Sequence, residues 1–228
     1  MNFLNYLAGN AQQIIFLTQA HFLVVLIAVG VGSLISVVLG LAVSTGEPDP
    51  PRYSIDWFAA GVREGGLVFT AALLTVPSLA LFALFLPITG LGVTTAILVL
   101  IIYTLYTVLR NTVAGLTTVD RAVLESARGL GYGRMRRLLT IQLPLAWPVI
   151  LNGIRVTTLI SISIAVVGAV VQGPGLGILL LNGISRIGAS NSFYQVLAGT
   201  LLCLVVAAVF EIFFAIVQRL TIPRGIRV

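Results

Sequence analysis

Residues 22–43 run without a single charged side chain, long enough to cross a lipid bilayer. A helix spanning the hydrocarbon core needs about 20 mostly apolar residues. In that medium the backbone must satisfy its own polar groups, which restricts the chain to helices or a closed barrel. Four further stretches share this character. They are 67–86, interrupted by Pro77; 93–109, stopped by Arg110; 145–171, carrying Arg155 near its start; and 196–217, containing Glu211. The reading is an all-α polytopic membrane protein with about five transmembrane helices. Composition excludes the soluble alternative. With 58% hydrophobic and 9% charged residues, a 228-residue soluble domain would have too few polar groups to cover its surface.

The segment 1–21 has no positively charged leader and no Ala-x-Ala site, so it does not read as a signal peptide. Its Phe3, Leu4, Leu7, Ile14, Ile15 and Leu17 suggest a short interfacial helix on the external side. The membrane domain is then 22–217, with a tail at 218–228. Glycine is abundant, as expected where helices approach closely in lipid. The one cysteine, Cys203, lies in an apolar run, so neither a disulfide framework nor a cysteine metal cluster forms within the chain.

The net charge of +6 comes from 13 arginines and no lysine. Their distribution speaks to orientation rather than to nucleic acid. With the amino terminus outside, eleven arginines fall in inner segments: Arg52, Arg63, Arg110, Arg121, Arg128, Arg134, Arg136, Arg137, Arg219, Arg224 and Arg227. Only Arg186 falls outside, and Arg155 lies within a span. The positive-inside rule therefore predicts an external amino terminus and a cytoplasmic carboxyl terminus.

The inner segment 110–144 carries the most information. Thr117 or Asp120 is placed to cap a short helix, and Gly129 and Gly131 to end it. Leu124, Ala127 and Leu130 recur at helical spacing beside a charged face. A second short basic helix is expected with Arg134, Arg136 and Arg137 opposite Met135, Leu138 and Leu139. Pro144 suits the first turn of the fourth span, where its missing N–H costs nothing. Such a helix-turn-helix on the inner membrane face is shaped for a groove on a cytoplasmic partner.

Glu125-Ser126-Ala127, Gly131 four residues after Ala127, and Ile141-x-Leu143-Pro144 resemble the E-A-A-x-x-x-G-x(9)-I-x-L-P loop of bacterial ABC-importer permeases. Ser126 stands where that pattern has its middle alanine. Thr75-Val76-Pro77-Ser78-Leu79-Ala80, Arg110-Asn111-Thr112 and Gly173-Pro174-Gly175-Leu176-Gly177 are similar to segments of the osmoprotectant (glycine betaine, carnitine, choline) subfamily. The resemblance covers roughly residues 22–217, weakest over 47–65. It implies a type I importer permease core in a bacterial inner membrane. By the same resemblance, Glu125, Ser126, Ala127, Gly131, Ile141, Leu143 and Pro144 couple to a separate ABC ATP-binding subunit. That subunit would hold the ATP and magnesium. An external substrate-binding protein and a second permease chain, identical or paralogous, complete the implied assembly, set in membrane lipids. A permease for methionine or another amino acid shares the same loop and stays open as an alternative, as does a stand-alone secondary transporter.

Residues in and beside the spans bear two readings each. Pro77, with Thr75 and Ser78 placed to satisfy freed backbone groups, marks a packing kink or a gate. Gly173 and Gly175 mark a helix stop or an outer gate. Thr158 and Ser161, with Thr157, Ala165 and Gly168, give the fourth helix a small, hydroxyl-bearing surface for packing or for a polar path. Arg155 is expected to snorkel or to make a dimer contact, Glu211 to pair with an arginine of a neighbouring helix, and His21 to anchor at the interface. Tyr103 and Tyr106 pack or meet a cation. No phosphate-binding G-x-x-x-x-G-K-[ST] loop and no catalytic or metal-binding constellation occurs, so the chain does not read as an enzyme.

Overall fold

The computed structural model describes residues 2–44 and 75–222. The expected second span lies outside these residues over 67–74, as do Arg52, Arg63, Arg224 and Arg227. In chain order the helices are α1 (Phe3–Gly9), α2 (Ala11–Ser44), α3 (Ser78–Thr89), α4 (Val93–Thr117), α5 (Arg121–Gly129), α6 (Arg134–Arg137), α7 (Leu143–Val167), α8 (Gly177–Ser185) and α9 (Ser192–Thr221). No strand occurs among the described residues. Among the described residues, four segments are long and apolar enough to cross a membrane: Ala11–Ala42, Val93–Thr117, Arg134–Val171 and Ser192–Thr221. The apolar α3 is shorter.

Three expected boundaries shift. Helix α2 begins at Ala11, so residues 11–21 belong to the first span rather than to a separate interfacial segment. At 1.5 Å per residue its 34 residues extend about 51 Å, well beyond a hydrocarbon core of about 30 Å. Ile14 and Leu17 are buried in the main core, which removes the reason for them to lie in the interface. Helix α4 continues past Arg110 to Thr117. The second basic helix does not stand apart either: α6 runs through a π turn at Leu138–Gln142 straight into α7. There Leu143 N–H donates to Leu138 O, five residues back. Pro144 has no N–H and its ring crowds the carbonyl four residues earlier, so the widened turn absorbs the misfit and the helix survives.

Helix α4 lies at the centre, packed along α2 on one side and α7 on the other. Small residues permit the approach. On α2, Gly32, Ser36 and Gly40 recur every fourth position. A Cβ at Gly32 would stand 2.7 Å from Thr104 Cβ, and one at Gly40 would stand 2.5 Å from Thr112 Cγ2. Between them Ser36 Oγ donates to Leu105 O across the interface at 3.1 Å and to Gly32 O at 2.7 Å. On the other side, a Cβ at Gly153 would stand 2.5 Å from Asn111 Cβ.

Helix α9 closes the bundle against α7 and α2. Phe22 stacks on Phe210 with ring centroids 4.6 Å apart, and Trp147 Nε1 donates to Thr221 Oγ1 at 2.8 Å. Helix α8 is an element the sequence analysis did not anticipate. It is nine residues long, apolar, and packed chiefly on α9, where Gly183 and Gly199 leave room for the neighbouring chain.

Candidate functional site

The two ends of the bundle differ in chemistry. At one end, α4 stops at Thr117 and the chain turns into α5. Asp120 caps it: its Oδ1 accepts from Ala122 N at 2.9 Å. Thr117 closes α4 instead, donating to Ala114 O at 2.8 Å. The far end of α5 is a Schellman turn, in which Tyr132 N–H donates to Ala127 O at 3.0 Å and Gly131 N–H to Arg128 O at 2.9 Å. Gly131 sits at φ +81°, the left-handed conformation this turn requires of the residue after the cap. Gly129 has no such constraint and is simply the last helical residue. The motif glycine and the motif alanine are therefore two parts of one turn.

The face that α5 presents is shallow and apolar. Ala122, Val123, Ser126, Ala127, Leu130 and Tyr132 line an open groove of about 420 Å³, with Ile141 behind it. Leu130 is 79% exposed and Val123 41%, unusual for residues next to a helix with so many arginines. Ser126 turns its hydroxyl back onto Ala122 O at 2.7 Å, so replacing alanine here leaves no unsatisfied donor. Glu125 is exposed on the same helix, and Ala127 is buried beneath the groove. Arg136 covers the Tyr132 ring at 4.5 Å, stiffening the exit from the turn. Leu143 is half-buried and Pro144 exposed at the start of α7. Of the seven loop residues singled out from the sequence, Ser126, Ala127 and Ile141 line this groove, Glu125 and Gly131 belong to the helix and turn that form it, and Leu143 and Pro144 start α7.

The opposite end gathers glycines. Gly90 (φ +75°) and Gly92 (φ +109°) make the α3–α4 turn, and Gly92 N–H donates to Val171 O at 2.8 Å. Thr95 donates to Gly90 O, and its hydroxyl lies 2.6 Å from that of Thr89. After a 3-10 turn at Gly168–Val171, Gly173 N–H donates to Gly168 O at 2.9 Å. Gly175, at φ +129°, lies on His21, where a Cβ would stand 2.7 Å from Nδ1. His21 is therefore a fully buried support for this loop, not an interfacial anchor.

Residues within the spans are placed as follows. Thr157, Thr158 and Ser161 are buried in the helix packing of this chain, and both threonines donate back to their own helix, to Gly153 O and Ile154 O. Pro77 lies outside any helix: Val76 is in a bend, Pro77 is extended, and α3 starts at Ser78. The carbonyl of Val76 accepts a hydrogen bond from Tyr103 Oη, at 2.6 Å. Tyr106 accepts a hydrogen bond from Arg110 at 3.3 Å. Arg155 does not snorkel. Its Nε donates to both carboxylate oxygens of Glu211, at 3.0 and 2.9 Å, and its Nη2 pairs with Oε2. This ion pair joins α7 to α9, and the sequence signal for it was two opposite charges in two spans.

Residues 60–223 match the family model described as binding-protein-dependent transport system inner membrane component. The chain is 33% identical to the osmoprotectant import permease protein OsmW of Salmonella typhimurium over the whole of both proteins. It is 29% identical to the glycine betaine/carnitine/choline transport system permease protein OpuCB of Bacillus subtilis, covering 98% of this chain and 95% of that one. Among solved structures it is similar in fold to the MetNI methionine ABC transporter in an inward-facing conformation. The TM-score is 0.78 over 91% of this chain and 95% of that one, at 16% identity.

Proposed function

The chain belongs to the family of binding-protein-dependent transport system inner membrane components, and we propose that it is the permease subunit of an ATP-driven osmoprotectant importer. The observation that carries this reading is the exposed apolar face of α5, held by the Asp120 cap and joined through the Gly131 turn to α6, which runs on into a membrane span. An apolar groove beside arginines, on the end of a bundle, is a docking surface for a separate protein. In this role the partner is an ABC ATP-binding subunit, which carries the ATP and magnesium. Movement of α5 then passes through the π turn into α7 and rocks the helices between inward- and outward-open states.

The substrate class follows the full-length relatives: quaternary amines such as glycine betaine, carnitine or choline. An external binding protein delivers them, and a second permease chain, identical or paralogous, forms the other half of the pore. The amino terminus is outside. The arginine distribution supports this orientation: the Trp147–Thr221 hydrogen bond brings the Arg219 end of α9 beside the arginine-rich α5–α6 end, while Arg186 follows α8.

Affinity purification of the permease from detergent-solubilised membranes tests the reading, comparing wild type with Glu125→Arg for a co-purifying ATP-binding subunit. Wild type should retain the ATPase and the variant should lose it. A wild-type permease that brings down no ATPase under mild conditions removes the importer assignment. Uptake of labelled glycine betaine by the reconstituted complex, dependent on ATP and on the binding protein, then tests the substrate class.

A further inference from the structure

We infer that Tyr103 is a positioning residue that latches a helix break in the middle of the membrane, between Val76 and Ser78. The irregularity is particular to Pro77, since Pro87 and Pro148 lie inside helices. Pro77 has no N–H and takes an extended conformation (φ −56°, ψ 138°), so α3 begins at Ser78 and its first backbone bond, Leu81 N–H to Pro77 O at 3.1 Å, leaves the Val76 carbonyl outside the helix. Tyr103 lies about 15 Å along α4 from Val93, half the thickness of the hydrocarbon core. At that depth no bulk water is present to satisfy a free carbonyl, and irregular backbone survives only buried in protein or along a water-filled cavity.

Tyr103 meets this requirement from another helix. Its ring is 7% exposed, packed in the cluster of Leu81, Phe82, Ala96 and Val99, and its hydroxyl reaches Val76 O at 2.6 Å. The aromatic packing holds α3 on α4, and the hydroxyl alone fixes where the break sits. On the importer reading, on which the transport consequence rests, Thr75, Pro77 and Ser78 border the translocation path. The latch then decides how firmly that border is held while the helices rock.

The test is a cycle of full-length variants in lipid nanodiscs: Tyr103→Phe, Pro77→Ala, both together, and Tyr106→Phe as a matched hydroxyl deletion one turn away. Amide hydrogen exchange of the peptide covering residues 76–82 is read by mass spectrometry. Tyr103→Phe keeps the ring and leaves a buried acceptor unpaired, so exchange there should accelerate roughly 5- to 100-fold, with Tyr106→Phe unchanged. Pro77→Ala restores an N–H and lets the helix run through, giving Val76 O a helical donor. In that background Tyr103→Phe should have little further effect, and it should recover expression if the single variant folds poorly. Equal exchange in wild type and Tyr103→Phe overturns the latch. So does a Tyr103→Phe effect that persists undiminished with Pro77→Ala. In the reconstituted complex, Tyr103→Phe should lower substrate taken up per ATP hydrolysed. Exchange needs no transport, so a permease that fails to transport at all disproves the importer reading while leaving the latch to be judged on its own data.

Discussion

Removing one member of the Arg155–Glu211 pair should destabilise the bundle, and removing both should largely restore it. Arg155 lies about 18 Å along α7 from Leu143 and Glu211 about 15 Å from Thr221 along α9, so both lie within membrane-spanning helices rather than at their ends. A lone charge at the centre of a membrane helix costs about 2.5–3.5 kcal/mol on the insertion scale. Roughly a third of each side chain is accessible (38% and 31%), which reduces the cost below that range, to about 2 kcal/mol. Glu211→Leu strands the arginine, which cannot shed its proton. Arg155→Met strands a carboxylate that relieves itself by protonation, so its cost should be the smaller. The double variant strands nothing, and apolar replacement of a buried pair is commonly close to neutral. Cys203, the sole cysteine, is partly buried in α9 and provides a native reporter, since unfolding opens it to a thiol-reactive dye. At about 2 kcal/mol the Glu211→Leu midpoint in nanodiscs should fall by roughly 4–8 °C, with most of the loss regained in the double variant. Losses that simply add would show that the two charges act independently. Single variants that melt with wild type would show that the pair contributes nothing at this depth.

Two further outcomes follow from close approach and from backbone conformation. Gly40→Val should lower the same melting midpoint by an amount equivalent to about 1–3 kcal/mol, because its side chain meets Thr112 on α4, whereas Gly30→Val, with nothing within 4 Å, should melt with wild type. Gly131→Ala should cost about 1–2 kcal/mol locally by forcing a side chain into φ +81°, and should weaken ATPase co-purification several-fold, while Gly129→Ala on the same helix leaves co-purification unchanged.

Much of the candidate site was legible before any coordinates. The apolar stretches ending at Arg110 and starting after Pro144 bracketed a loop whose caps and apolar strip could be read from residue spacing. Asp120, Ala127 and Gly131 occupy local structures that depend only on near neighbours in the chain, so their roles follow from pattern. Helix edges were less legible. Ile14 and Leu17 are interfacial or buried according to what α1, α8 and α9 place around them, and α4 runs two turns beyond the charge that marked its end.

The sequence by itself determined that this chain lives in lipid, that its backbone is helical there, and that one end bears an arginine-rich loop with a short helix carrying an apolar strip. Those properties are sums over local choices: hydropathy over about 20 residues, charge per loop, and the conformation of single glycines. Only the tertiary structure decided that Arg155 and Glu211, 56 residues apart, neutralise each other. It also decided that Tyr103, from another helix, serves the Val76 carbonyl beside Pro77, and that His21 supports Gly175. These pairings depend on which faces of which helices meet. In lipid that choice is made by steric fit at small residues such as Gly32, Gly40 and Gly153, since burial of apolar surface offers no preference between one lipid-facing stripe and another.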